Sequence, residues 1–197
     1  YLLDTKTYRV EVKPNQTATQ VISDTEPTGQ ISLTKTDIKT GNDNRIDKIP
    51  HHGDATLKGA VYTLYANNDI YNVSKTVKYF SKDEEIATYT FDEYGKATAS
   101  VINKNSTGIL TANENTIQGL PMGSYYCKET TVPNGYKLDT NIYKYDLIYK
   151  DMNTPIIEIS GTVTEEVQKA KFEVIKISSN NSSTATPIEG AGFNAIL

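Results

Sequence analysis

Three ionisable residues of this chain fall where the alternation of apolar and polar neighbours turns them toward a hydrophobic interior. Ile31, Leu33 and Lys35 share one face of a strand whose other face is Ser32, Thr34 and Thr36. Tyr125, Cys127 and Glu129 share a second such face, and Val163, Glu165 and Val167 a third. Side chains alternate across a strand with period two, so each of the three charges reads as core-facing. A charge held alone in an apolar interior is expensive, and inward charges persist only where they pair or react. The sequence pattern alone leaves three readings open: a buried ion pair, a reactive site, or a slip in the strand register.

Other residues with chemical potential are weaker candidates. His51 and His52 stand beside Asp54, but adjacent histidines on a strand point to opposite faces and no third ligand has suitable spacing, so a solvated loop is expected and no metal. Asp37, Asn42, Asp43, Asn44 and Asp47 form an acidic stretch without the alternate-oxygen spacing, central Gly and terminal Glu of a calcium loop. Cys127 is the only cysteine, which excludes an intrachain disulfide, and it reads as a small core residue rather than a nucleophile. No phosphate loop, His-based triad or cofactor motif is found, so the expectation is a non-enzyme with no cofactor.

The elements that must position Lys35, Glu129 and Glu165 are strands. The chain has 197 residues, enough for a sizeable core, with 14 Tyr, no Trp and abundant Thr, Val and Ile, side chains that suit a pleated, half-buried surface. Net charge is −4 with both signs interspersed, which excludes a basic field for nucleic acid and a cationic amphipathic stretch for a membrane. No apolar run approaches the roughly 20 residues that span a bilayer. The strands expected are Ile31 to Thr36, Val61 to Ala66, Ile86 to Phe91, Ala97 to Ile102, Ser124 to Glu129, Ile142 to Tyr149, Pro155 to Ser160 and a final one through Val163, Glu165 and Val167. Turns are expected at Asp92 to Lys96, Ile117 to Gly123, Pro133 to Gly135 and Asp151 to Asn153.

Internal repetition sets the domain organisation. Tyr1-Leu2-Leu3-Asp4-Thr5 recurs as Tyr136-Lys137-Leu138-Asp139-Thr140, and Tyr8 to Val12 is echoed by Tyr143 to Leu147. Ile31 to Lys35 matches Phe172 to Lys176, and Leu57 to Tyr62 matches Ile188 to Phe193. The offsets are 135 residues (136 − 1), 141 (176 − 35) and 131 (190 − 59), a domain-sized period with loops of varying length. The expectation is that residues 1–28 are the C-terminal hairpin of a preceding domain, 29–168 a complete domain and 169–197 the opening strands of a following one.

Tyr125-Tyr126-Cys127-Lys128-Glu129-Thr130-Thr131-Val132-Pro133-Asn134-Gly135-Tyr136 resembles the E-box signature of the SpaA/Cna B-type domains. Ile31 to Asp37 resembles that family's first strand with its Lys-x-Asp ending, and Gly59-Ala60-Val61-Tyr62-Thr63-Leu64-Tyr65 its second. The resemblance implies an all-β, prealbumin-like or inverse immunoglobulin β-sandwich, of the kind that stacks into pilins and adhesin stalks of Gram-positive bacteria. It also implies an intramolecular isopeptide bond between a first-strand Lys and a last-strand Asn or Asp, catalysed by the E-box Glu. On this resemblance Lys35 is the nucleophile and Glu129 the catalyst, and Asp24 and Glu165 occupy matching places on two successive last strands. Asp24 has the family's residue type and Glu165 departs from it, one methylene longer. Such chemistry needs burial, which frees the amine of its proton and keeps a carboxyl protonated.

Two functions follow as expectations. One is a structural stalk or pilin-like repeat of an extracellular, wall-anchored protein, whose partners are neighbouring copies in the same chain. The other is an adhesive module that binds host matrix protein or glycan through an insertion at 67–115, using Tyr71, Tyr79, Phe80, Tyr89 and Tyr94.

Overall fold

A computed structural model of the chain describes residues 1–37, 55–103 and 109–174. Among these residues the regular structure is entirely strand. The elements are β1 (Thr28–Asp37), β2 (Val61–Ala66), β3 (Ile70–Tyr71), β4 (Lys78–Phe80), β5 (Glu85–Phe91), β6 (Ala97–Val101), β7 (Thr111–Asn113), β8 (Thr116–Leu120), β9 (Gly123–Thr131), β10 (Tyr143–Leu147) and β11 (Ile156–Glu165). They form a four-stranded sheet in the order β11-β1-β8-β7, a five-stranded sheet in the order β10-β9-β2-β5-β6, and a small β3-β4 ribbon. The first and last strands, β1 and β11, pair in parallel, whereas the other ladders are antiparallel.

The two larger sheets bury one face each against the other, which is how amphipathic sheets satisfy their apolar sides. Ile31 and Leu33 of β1, Ile117 and Leu120 of β8 and Val163 of β11 meet Tyr62 and Leu64 of β2, Ile86, Tyr89 and Phe91 of β5, Tyr125 and Cys127 of β9, and Leu147 of β10. Two of the fully buried tyrosines keep their hydroxyls partnered: Tyr89 donates to the Ile31 carbonyl at 2.8 Å and Tyr125 to the Pro121 carbonyl at 2.7 Å. On the outward face of the β1–β11 pair the polar alternates form a ladder, with Gln30 Nε2 donating to Glu158 at 2.8 Å and the Ser32 and Ser160 hydroxyls 3.0 Å apart. Gly161 lies beneath Tyr145, and a Cβ there would stand 2.8 Å from Leu33 Cδ2, so only glycine lets β11 approach this closely.

The structure corrects several expectations. Pro155 to Ser160 and the strand through Val163 and Glu165 are one continuous strand, β11. The Asp151 to Asn153 turn does not close a hairpin, because β10 joins β9 in one sheet and β11 joins β1 in the other. Val167 lies past the end of β11 and bridges to Tyr136. Within 67–115 the two expected strands are present as β5 and β6, which complete the five-stranded sheet, and the short strands β3, β4 and β7 are added to them. Of the five aromatics expected to form an adhesive surface there, Phe80 and Tyr89 are buried, Tyr79 and Tyr94 half-buried, and Tyr71 alone exposed.

Residues 1–27 form no strand and are almost wholly exposed, although Leu2 N donates to the Thr25 carbonyl at 2.8 Å across a turn at Lys13 to Gln16. The pair His51 and His52, the acidic residues 42–47 and the stretch from Ile175 to Leu197, with Lys176, lie outside the described residues.

Candidate functional site

Lys35, Glu129 and Glu165 come from three strands and two sheets. Lys35 is the third inward residue of β1 after Ile31 and Leu33, and its Cα partner on β11 is Val163. Glu165 is two residues further along β11, so it lies on the same inner face as Lys35. Glu129 reaches in from the opposite sheet, where its Cα partner on β2 is Tyr62. The structure thus brings the three side chains together at one end of the interior, and all three are fully or almost fully buried.

Lys35 Nζ stands 2.5 Å from Glu165 Oε1 and 3.6 Å from Glu129 Oε1. It also sits 4.3 Å from the centroid of the Tyr62 ring and 5.4 Å from that of Phe91, so aromatic faces wall the amine off from water. Despite these short approaches, Lys35 Nζ, Glu129 Oε1 and both Glu165 carboxyl oxygens lack hydrogen bonds of good geometry. Charge and proximity therefore hold the cluster together without saturating its polar atoms, a costly arrangement in a structural core.

Burial dominates the electrostatics. It pushes the Lys35 amine below its ordinary value, opposed by the charges of Glu165, Glu129 and Asp139. Burial pushes Glu165 up to about 8, helped by the neighbouring Glu129 side chain and opposed by Lys35. An amine driven toward its neutral form faces a carboxyl driven toward its protonated form, the two states needed for condensation.

Sequence reasoning missed the groups that surround this cluster. Asp139, half-buried in the loop between β9 and β10, donates its backbone N–H to Glu129 Oε2 at 2.7 Å. Its own Oδ2 accepts the hydroxyls of Tyr62 at 2.8 Å and Tyr143 at 2.7 Å, and its Oδ1 accepts Asn141 N at 2.9 Å. Tyr143 in turn accepts the backbone N–H of Thr164, next to Glu165, at 3.5 Å. The available signal was the repeat of Tyr136 to Thr140 with Tyr1 to Thr5, which singles out Asp139 but says nothing of its task. Cys127 is buried in the same inner face of β9, and burial raises its thiol above the ordinary value, which keeps it inert.

Two sheets packed face to face, closed by a parallel pair of first and last strands, define a prealbumin-like β-sandwich. The sequence matches the family model of the SpaA prealbumin-like fold domain over residues 42–163, more than half of its length, and the chain belongs to that family. Lys35 and Glu165 flank the matched region, and Glu129 lies within it.

Similar solved structures include the pilus 2b backbone protein of group B streptococcus, at 20% identity and a TM-score of 0.40 over 80% of this chain and 46% of that one. The minor pilin GBS52 of Streptococcus agalactiae matches at 14% identity and a TM-score of 0.40, over 77% and 49% of the respective chains. The TIE protein of Bacillus anthracis matches at 19% identity and a TM-score of 0.36, over 72% and 18%. The chain spans less than half the length of these proteins. Comparison with curated protein sequences gives no match.

Proposed function

We propose that this chain is a structural, load-bearing module of a Gram-positive cell-surface protein, held outside the cell at the wall, in which an amide bond joins Lys35 to Glu165. The observation that carries the proposal is the buried 2.5 Å contact between these residues, across the pair formed by the first and last strands of the sandwich. Neutral Lys35 Nζ attacks Cδ of protonated Glu165, and the new C–N bond replaces the bond from Cδ to the hydroxyl oxygen. Glu129, 3.6 Å from the amine, takes the proton that nitrogen loses and delivers it to the departing hydroxyl, which leaves as water. Glutamate in place of the family's Asn or Asp lengthens one arm by a methylene, and the observed contact distance accommodates it.

The domain boundaries form part of the same proposal: 1–28 closes a preceding copy, 29–168 is complete, and 169–197 opens a following copy, so the partners of the module are its own repeats. Supporting this is a hydrogen-bond pattern that recurs with the sequence. Tyr8 donates to Asp4 Oδ2 at 2.5 Å and Lys6 N to Asp4 Oδ1 at 2.9 Å, as Tyr143 and Asn141 do to Asp139. The spacer role is preferred over the adhesive one because, of the 67–115 aromatics needed for an adhesive patch, Phe80 and Tyr89 are buried and only Tyr71 is exposed.

Intact mass of the purified chain tests the site. The expected value is about 18 Da below the sequence mass, from loss of one water in condensation, with the full mass restored in Lys35→Ala. An unaltered wild-type mass would leave Lys35, Glu129 and Glu165 as a buried ion-pair cluster and sink the covalent part of the proposal.

A further inference from the structure

Asp139 touches nearly every element that contributes to the Lys35 site, yet its carboxylate never faces the amine directly. Its backbone N–H occupies Glu129 Oε2, which leaves Oε1 as the oxygen turned toward Lys35. Its carboxylate draws in the hydroxyl of Tyr62, the ring that lies 4.3 Å from Lys35 Nζ, and the hydroxyl of Tyr143, which receives Thr164 N beside Glu165. One residue of the β9–β10 loop therefore ties together β2, β9, β10 and, through Tyr143, β11. The tyrosine rings meet edge to face, with centroids 6.1 Å apart, so fixing one hydroxyl constrains both. A catalytic carboxyl works only when its own orientation is held, and displacement by about 1 Å can cost on the order of 10²-fold in rate.

We infer that Asp139 is the positioning residue of this site: its main-chain N–H aims the Glu129 carboxyl at Lys35 while its side chain locks Tyr62 and Tyr143 around the reacting pair. The inference rests on the amide-forming reading of Lys35 and Glu165, and two separate measurements keep the two ideas apart.

The first is the rate of water loss, followed by mass, when the full chain, made and purified in denaturant before any bond has formed, is allowed to fold. Asp139→Ala, once its amide spectrum shows a folded protein, is expected to form the bond roughly 10²-fold more slowly. Asp139→Asn keeps the backbone donor and a carbonyl oxygen for the tyrosines, and is expected to recover most of the rate. If Asp139→Ala does not fold, the Tyr62→Phe/Tyr143→Phe double variant releases the same carboxylate and is expected to show the same slowing. Wild-type rates in the folded Asp139→Ala protein, or in the double variant, would overturn the inference.

The second is the amide proton resonance of residue 139, which reports its bond to Glu129 whether or not the covalent tie forms. A charge-assisted acceptor draws that proton downfield, so Glu129→Gln is expected to move it upfield and Asp139→Asn to leave it near its wild-type position. No movement in Glu129→Gln would show that the two residues are not coupled. A wild-type chain without water loss but with this movement would remove the reaction and leave Asp139 as the residue that orients Glu129.

Discussion

Residues 1–24 and 136–165 carry the same sequence landmarks and the same Asp–Tyr hydrogen bonds, yet only the second region becomes strand. Tyr145 and Leu147 are buried on β10, whereas Val10 and Val12, at the matching positions, are 46% and 73% exposed. Val163 is fully buried on β11, and its counterpart Ile22 is 56% exposed. The Asx turn at Asp4 or Asp139 is local and forms wherever its few residues occur. A strand has no such autonomy. β10 exists because β9 lies beside it, and β11 because β1 does. The lesson is that this motif's turn is written in adjacent residues and its strands in distant ones.

The comparison breaks most visibly if the core positions of the two regions are emptied in turn. Leu147→Ala is expected to cost about 2–5 kcal/mol in urea unfolding, as a large-to-small change in a packed core does. Val12→Ala is expected to stay within about 0.5 kcal/mol, as exposed substitutions do. Equal costs would mean that the N-terminal segment packs as tightly as β10.

A second contrast comes from pH. In Glu129→Gln, where the tie is blocked, burial still raises Glu165, so the folded protein keeps a proton that the unfolded chain releases. With Glu165 raised from 4.5 to about 8 in the wild-type surroundings, its contribution to stability is full below about 4.5 and is lost as pH climbs toward about 8. Denaturant midpoints of Glu129→Gln are therefore expected to fall across that window. A wild type that carries the proposed tie, and Glu129→Gln combined with Glu165→Gln, are expected to lack this fall, since neither retains a titrating carboxyl at position 165. A fall of the same size in the double variant would place the titration elsewhere.

The smallest effect sharpens the comparison at the motif itself. Tyr143→Phe removes a half-buried hydroxyl shared by Asp139 and Thr164 N and is expected to cost about 1 kcal/mol. Tyr8→Phe removes the exposed counterpart bond to Asp4, and its unfolding midpoint is expected to match wild type.

Much of this architecture was legible in the sequence because period-two alternation and burial are the same fact seen twice. Ile31-Leu33-Lys35, Tyr125-Cys127-Glu129 and Val163-Glu165 each gave their inward face directly, while the meeting of the three charges at one site rested on the family resemblance, since alternation alone left a register slip open. The continuity of β11 was hidden by Gly161, which reads as a strand break but serves a close approach to Tyr145 and Leu33. The role of β5 and β6 was hidden because aromatics in a presumed insertion carry no mark of which sheet they complete. The place of Asp139 beside the cluster was hidden for a different reason: it meets Glu129 through a main-chain N–H and sits in a loop, where no periodicity reports direction.

The pairing of β1 with β11 joins residues 128 apart in sequence, as in Ser32 with Ser160. Ladders this distant close slowly, because a long intervening chain must first be ordered. β11 also seats beside a strand already flanked by β8, so its docking completes the four-stranded sheet. The amide formation proposed at Lys35 would have to wait for that step, since Glu165 reaches the amine only when β11 is in register. Such a bond could form only on a chain whose β1 and β11 have found each other, and finding it in a molecule would record that this sandwich had finished folding.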